Sequence, residues 1–194
     1  MMKLIVGLGN PGQVYAHNRH NIGFICLKHL ARTQGIKLDK KQGKARIGRG
    51  EVAGTEAVLA RPQTYMNLSG ESVVLLVRKF DIKLDDLLVI HDDLDLPLGK
   101  IRISRGSGSG GHRGVSSIIY SLGSQDFSRL RVGIGRPVPV GGHSQIGEDD
   151  IVRYVLNDFT GEEKRVITPV IPMVSEAALC FLSEGISRAM NRYN

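Results

Sequence analysis

An apolar run, Leu4-Ile5-Val6, leads straight into Gly7-Leu8-Gly9-Asn10-Pro11-Gly12. A short apolar run closed by turn residues is a buried strand, so the chain is committed early to a sheet whose first strand ends in a tight turn. The glycines fit the dinucleotide fingerprint G-x-G-x-x-G. The residues after them do not. A dinucleotide fold opens its glycine turn directly into a helix, whose backbone N–H groups meet a pyrophosphate. Here Pro11 stiffens the turn and removes one donor. Gln13 to Asn21 is mostly polar and has no helical apolar face. The acidic residue expected about 20 positions past the fingerprint is missing, and the region reads Leu30-Ala31-Arg32. The turn instead presents Asn10 and, after a short loop, His20. That layout suits acid–base chemistry better than cofactor binding.

A chain of 194 residues, 41% of them hydrophobic, is enough for one domain, 1–194, with a single ample core. No apolar run approaches the length of a membrane span, and no signal peptide is expected ahead of the first strand. Cys26 and Cys180 lie in apolar helical patterns and read as buried free thiols, which suits a reducing cytoplasm. Neither forms a C-x-x-C or C-x-x-H pair, which argues against structural zinc. A net charge of +7 and a pI of about 9.6 favour a polyanionic partner.

Periodicity sets the coarse fold. Strands are expected over about 2–8, 43–49, 56–61, 87–91, 100–105 and 130–135. Helices are expected over about 21–34, 67–80, 115–122 and 148–156. Thr160-Gly161-Glu162-Glu163 reads as a capping box that opens a C-terminal helical region, which Pro169 and Pro172 should kink or split. Strands alternating with helices imply a single-domain α/β three-layer sandwich with a mostly parallel, mixed central sheet flanked by helices. Functional residues should gather at the carboxyl ends of its strands.

Four polar segments punctuate these elements: 10–21, 64–69, 91–95 and 106–114. His20 is a candidate base, with a reference pKa of about 6.5. Asp92, just past an apolar strand, is a candidate to orient it. Both also fit ordinary turn roles. His91-Asp92-Asp93-Leu94-Asp95 is rich in metal-ligating groups, but adjacent residues of an extended segment point opposite ways and cannot all ligate one ion. Asn67 fits a helix N-cap or an amide that bonds a ligand's peptide group. Tyr65 and Tyr15 offer rings for stacking. The loop Gly106-Ser107-Gly108-Ser109-Gly110-Gly111-His112-Arg113 opens a helix and is rich in N–H groups, an anion site or a mobile connector. Lys100, Arg102, Arg105 and Arg113 surround it and favour phosphate; Arg129 and Arg131 add charge on the next strand. Without a G-x-S-x-G elbow or a paired cysteine, the remaining chemistry is hydrolysis by an activated water.

Together these segments resemble the bacterial-type peptidyl-tRNA hydrolase family. The likeness runs in order through Leu4 to Gly12, Tyr15, Arg19 to Gly23, Tyr65 to Gly70, His91 to Gly99, Gly110 to Gly114 and Arg129 to Pro137, and on to Ala189 to Asn194. It implies a monomeric cytoplasmic enzyme that uses no cofactor or metal, has no obligate protein partner and binds no membrane. Such an enzyme hydrolyses the ester between a peptide and the 3′ end of tRNA, recycling tRNA dropped during translation. By the resemblance, His20 is the base and Asp92 its supporting carboxylate. Asn10 and Asn67 read the peptide and the substrate end, and Tyr15 and Tyr65 line the cleft for the tRNA end. Arg131 is expected at a phosphate, with Arg102 and Arg105 beside it. Two positions depart from the family pattern. Arg113 stands where asparagine is common, and Ser104 where lysine is frequent. A non-catalytic RNA-binding protein on the same scaffold is the alternative.

Overall fold

The computed structural model describes residues 2–138 and 146–194. Its sheet has seven strands: β1 (Lys3–Gly7), β2 (Lys40–Gln42), β3 (Ala45–Val52), β4 (Thr55–Pro62), β5 (Leu87–Asp93), β6 (Ile101–Arg105) and β7 (Ser128–Gly133). Their spatial order is β2-β3-β4-β1-β5-β7-β6. The inner strands β4, β1, β5 and β7 are parallel, and the outer β2, β3 and β6 pair antiparallel. The helices are α1 (Ile22–Thr33), α2 (Ser69–Lys79), α3 (Arg113–Leu122), α4 (Glu148–Leu156), α5 (Gly161–Ile167), α6 (Val170–Glu184) and α7 (Ile186–Tyr193).

Side chains alternate across β1, which divides the core in two. Ile5 packs with Leu59, Leu88 and Leu130 against Leu27 and Leu30 of α1 and Val174 and Phe181 of α6. Leu4 and Val6 face the other way, with Val58 and Val89, against Val73 and Leu76 of α2 and Val115 and Ile118 of α3. Both faces of the inner strands are covered, which is why they read as unbroken apolar runs.

The glycine fingerprint has a packing cause. A Cβ on Gly7 would lie 2.3 Å from the Gly23 carbonyl oxygen, and one on Gly9 would lie 2.6 Å from the Phe24 ring. These glycines let β1 and its turn press onto α1, with no cofactor required.

Several expectations change in detail. β3 and β4 are longer than their apolar cores and meet at Ala53-Gly54, both with positive φ, the geometry of a tight hairpin. β2 is an additional edge strand whose three residues are all exposed, so no apolar pattern marks it. The Thr160 capping box forms as expected. Pro169 separates α5 from α6, but Pro172 lies in the first turn of α6, where no intrahelical N–H is required. Both cysteines are free and buried.

The segment Gly161–Glu184 meets the length and composition of a membrane-crossing helix, but half of its most apolar window is buried in the protein. Val174, Ala177, Ala178 and Phe181 spend that apolarity on the sheet and α1. At the far edge, the Asn194 side chain accepts from the Ile103 N–H at 2.7 Å and donates to its carbonyl at 2.9 Å. The last residue thus occupies backbone groups of the exposed edge strand β6.

Candidate active site

Strands β1, β4 and β5 end on the same edge of the sheet. The helix after β1 lies on one face, and the helix after β4 lies on the other. Such a divergence opens a crevice beyond the strand ends. It is a cavity of about 620 Å³ lined by Asn10, Tyr15, His20, Tyr65, Asn67, Asp92 and Arg113 among others. Seven of the ten candidate residues therefore share one cleft.

Asn10 is clamped. Its N–H donates to Asn21 Oδ1 at 2.8 Å, and Asn21 Nδ2 donates back to its carbonyl at 2.9 Å. Its own Oδ1 accepts from the Met66 N–H at 2.8 Å. A backbone N–H can only donate, so this contact fixes which way the amide faces. Nδ2 is left as a donor without a partner among the described residues.

His20 lies in a single 3₁₀ turn, Arg19–Asn21, between the β1 turn and α1. The turn is held from behind by buried Arg19. Its guanidinium donates to the carbonyls of Tyr154 and Asn157 and to Glu163 Oε2, at 3.0, 3.1 and 2.6 Å, and lies over the Tyr154 ring. His20 Nδ1 is 2.9 Å from both Asp92 oxygens, which leaves Nε2 as its lone-pair nitrogen.

Asp92 is not past the strand, as the apolar run suggests, but within it: β5 continues to pair with β7 through Asp92 and Asp93. The carboxylate is 2% exposed and holds its charge because two imidazoles face it. The second is His112, whose Nε2 lies 2.9 Å from Asp92 Oδ1. His112 Nδ1 accepts from the N–H groups of Gly114 and Val115 at the start of α3. Its proton must therefore sit on Nε2, pointing at Asp92. Burial works against the Asp92 charge, but His20 and His112 more than offset it and hold its pKa well below the usual carboxylate range. Burial likewise opposes charge on His20, yet the Asp92 carboxylate outweighs it and raises that pKa above the ordinary histidine value, while nearby Arg113 pulls slightly the other way.

His20, Asp92 and His112 place three potential ligand atoms within 4.8 Å of one another. The donor set does not fit a metal. An ion at His112 Nε2 would displace the ring's only proton, while Nδ1 must keep a lone pair for two backbone donors. The ring would have to become an imidazolate. The other acidic residues of the segment are occupied: Asp93 pairs with Arg131 and Asp95 with Arg136.

The remaining candidates divide. Asn67 does not cap α2. It lies in the 3₁₀ turn Met66–Leu68, whose cap position is Tyr65, and no side chain caps either helix start. Its amide is exposed in the cleft and free for a ligand. The glycine loop is pinned from below by buried Arg129, which donates to the Gly108 carbonyl at 2.8 Å and to Ser107. The Gly114 and Val115 N–H groups at the start of α3 are taken by the His112 side chain. Arg113 forms an exposed ion pair with Glu148 at 2.7 Å across the cleft. Arg105 is paired with Asp85 and Asp126, and Arg131 with Asp93. Arg102 is exposed on β6, directly opposite Arg131. His112, Asn21 and the Met66 N–H were not assigned roles from the sequence. His112 stood in plain view after Gly110-Gly111, but its partner lies twenty positions away in the chain.

A parallel-centred α/β sandwich with an imidazole–carboxylate pair at the strand ends has the parts of an acid–base hydrolytic enzyme. A sequence model of the peptidyl-tRNA hydrolase family matches residues 4–194. The chain is 47% identical to a peptidyl-tRNA hydrolase of Dehalococcoides mccartyi, with all of both chains covered. It is 46% identical to that of Carboxydothermus hydrogenoformans, covering all of this chain and 98% of the relative. The crystal structure of peptidyl-tRNA hydrolase from Acinetobacter baumannii superposes with a TM-score of 0.89 at 37% identity, over all of this chain and 94% of that one. The chain belongs to the peptidyl-tRNA hydrolase family, and its activity is the hydrolysis of peptidyl-tRNA.

Proposed function

We propose that His20 Nε2 takes a proton from the water that attacks the ester carbonyl between peptide and tRNA. The observation that carries this is the His20 Nδ1–Asp92 contact, 2.9 Å to each carboxylate oxygen. It sets the tautomer and favours the imidazolium that forms as the water is deprotonated. His112 acts as a positioning residue, holding Asp92 through a proton that its own backbone contacts fix in place.

Asn10 reads the substrate's acyl end. Its free Nδ2 donates to the carbonyl that blocks the α-nitrogen, whereas a free ammonium, itself a cationic donor, finds no acceptor there. Asn67, beside it in the cleft, bonds the same end of the substrate. Tyr15 and Tyr65 provide faces for the terminal nucleotide. Arg102 and Arg131, neighbours across β6 and β7, take phosphates together with Arg105 and Arg113. The enzyme acts as a monomer in the cytoplasm, without metal or organic cofactor.

The test is release of deacylated tRNA from N-acetyl-aminoacyl-tRNA in the presence of EDTA. Steady turnover supports the proposal. Tight tRNA binding without turnover favours a non-catalytic RNA-binding protein. The intact Asn10, His20, Asp92 and His112 cluster speaks against that alternative.

A further inference from the structure

On the far side of the Asn10-Pro11-Gly12 turn lies a second cavity of about 630 Å³. Asn10 lines both cavities, so a single turn of chain separates them. The walls of the second carry His17, Lys28, His29, Arg32 and Arg61, and its lining includes no acidic residue among the described residues. Lys28 and Arg32 are exposed one helical turn apart on α1, on the same side.

Arg61 is the least compensated of these cations. Arg46 stands directly opposite it in the β3–β4 ladder, where like charges destabilise each other. Arg46 in turn bonds the Asp39 backbone carbonyl rather than a carboxylate. The Arg61 guanidinium lies 5.2 Å over the Phe24 ring, and its Nε is buried without a hydrogen-bond partner among the described residues. Burial and the Arg46 charge both pull its pKa down. No ion pair joins Lys28, Arg32 or Arg61 to a carboxylate among the described residues. In contrast, Arg113 and Arg136, which line the catalytic cleft, are each paired with one. Lys28, Arg32 and Arg61 therefore bring uncompensated positive charge to the second cavity, where low-dielectric walls focus it.

We propose that this cavity is a phosphate subsite, formed by Lys28, Arg32 and Arg61, that holds the RNA backbone of the substrate while the ester lies at His20. An unpartnered guanidinium with two further cations matches a phosphodiester, whose oxygens accept several charged donors at once. The occupant is RNA because the substrate in the adjoining cleft is a tRNA; in that respect the inference rests on the proposed function.

The test compares wild type with Lys28→Glu/Arg32→Glu and, separately, Arg61→Gln. Both positions of the double variant are exposed, so its fold is secure even if the Arg61 variant fails to fold. The measurements are the Kd of deacylated tRNA over a salt series and the kcat and KM for N-acetyl-aminoacyl-tRNA. Each lost contact should flatten the salt dependence by about 0.7–0.9 in log Kd against log salt. The double variant should bind tRNA about tenfold more weakly at low salt, with the loss in KM rather than kcat. Inorganic phosphate should compete with tRNA for wild type more effectively than for the variant. Parallel salt lines with an unchanged Kd would overturn the subsite. So would loss of phosphate competition with tRNA affinity intact, which would mark a pocket for a small free anion. If wild type itself fails to hydrolyse N-acetyl-aminoacyl-tRNA, the parent proposal fails instead.

Discussion

Asn10 separates a blocked substrate from a free one by which half of its amide is already occupied. Met66 holds the oxygen, so only a donor faces the substrate. Asn10→Asp keeps an acceptor for Met66 and replaces that donor with carboxylate oxygen. The ratio of kcat/KM for N-blocked over free aminoacyl-tRNA should fall in this variant, and an unchanged ratio would reduce Asn10 to a turn residue. Asp92 acts on the pH scale. His20 works only unprotonated, and its raised pKa means that kcat/KM should fall, as pH is lowered, at a value above the usual histidine range. In Asp92→Asn the carboxylate is gone and burial remains, so the acid limb should move to lower pH. The plateau rate should drop by about 10²–10⁴, with tRNA affinity nearly intact. An acid limb that stays in place would show that His20 is not the group titrating.

At the scale of elements, α3 and α4 are linked across the cleft by an exposed ion pair. The Arg113–Glu148 pair is 60% and 80% exposed, and such pairs contribute about 0–1 kcal/mol. A phosphate can therefore compete with Glu148 for Arg113. Glu148→Gln should free the guanidinium, tighten tRNA binding and steepen its salt dependence by about one. Arg113→Asn should retain hydrolysis. Identical salt lines for wild type and Glu148→Gln would mean that Arg113 does not meet tRNA. The pairing itself was beyond the sequence, since thirty-five positions separate its partners. In contrast, the bounds of α4 come from its own pattern, and the Thr160 box forms from residues three apart. Asn67 failed as a cap for a local reason: the chain makes a 3₁₀ turn over Met66–Leu68, so α2 starts at Ser69 rather than at about 67.

Across the whole molecule, the inner strands were legible because burial on both faces leaves an unmistakable apolar run. β2 was not, because an exposed three-residue edge strand buries nothing. The site was legible in its residues and not in its wiring. His20 and Asp92 stand out as candidates by type and position and take their roles from the family resemblance, whereas the His112 proton aimed at Asp92 depends on the start of α3. Stability carries a related signature. His91 is buried against His112, Asp92 and Arg129, and burial holds its pKa well below the usual value. Below about pH 6.5 the unfolded chain takes up a proton that folded His91 refuses, so stability falls with acidification. His20, with its raised pKa, has the opposite effect: its contribution is present at low pH and lost as pH rises through the folded value. His91→Gln should therefore lose less Tm than wild type between about pH 7 and pH 5. An equal loss in both would place the acid sensitivity elsewhere.

The central claim is a metal-independent base at His20. It is tested most directly by single-turnover hydrolysis of N-acetyl-aminoacyl-tRNA in EDTA, comparing wild type with His20→Ala. The expected result is full wild-type activity under chelation and a rate lower by about 10²–10⁴ in the variant, with unchanged tRNA affinity. Near-normal turnover by folded His20→Ala, or loss of wild-type activity that a divalent ion restores, would contradict it.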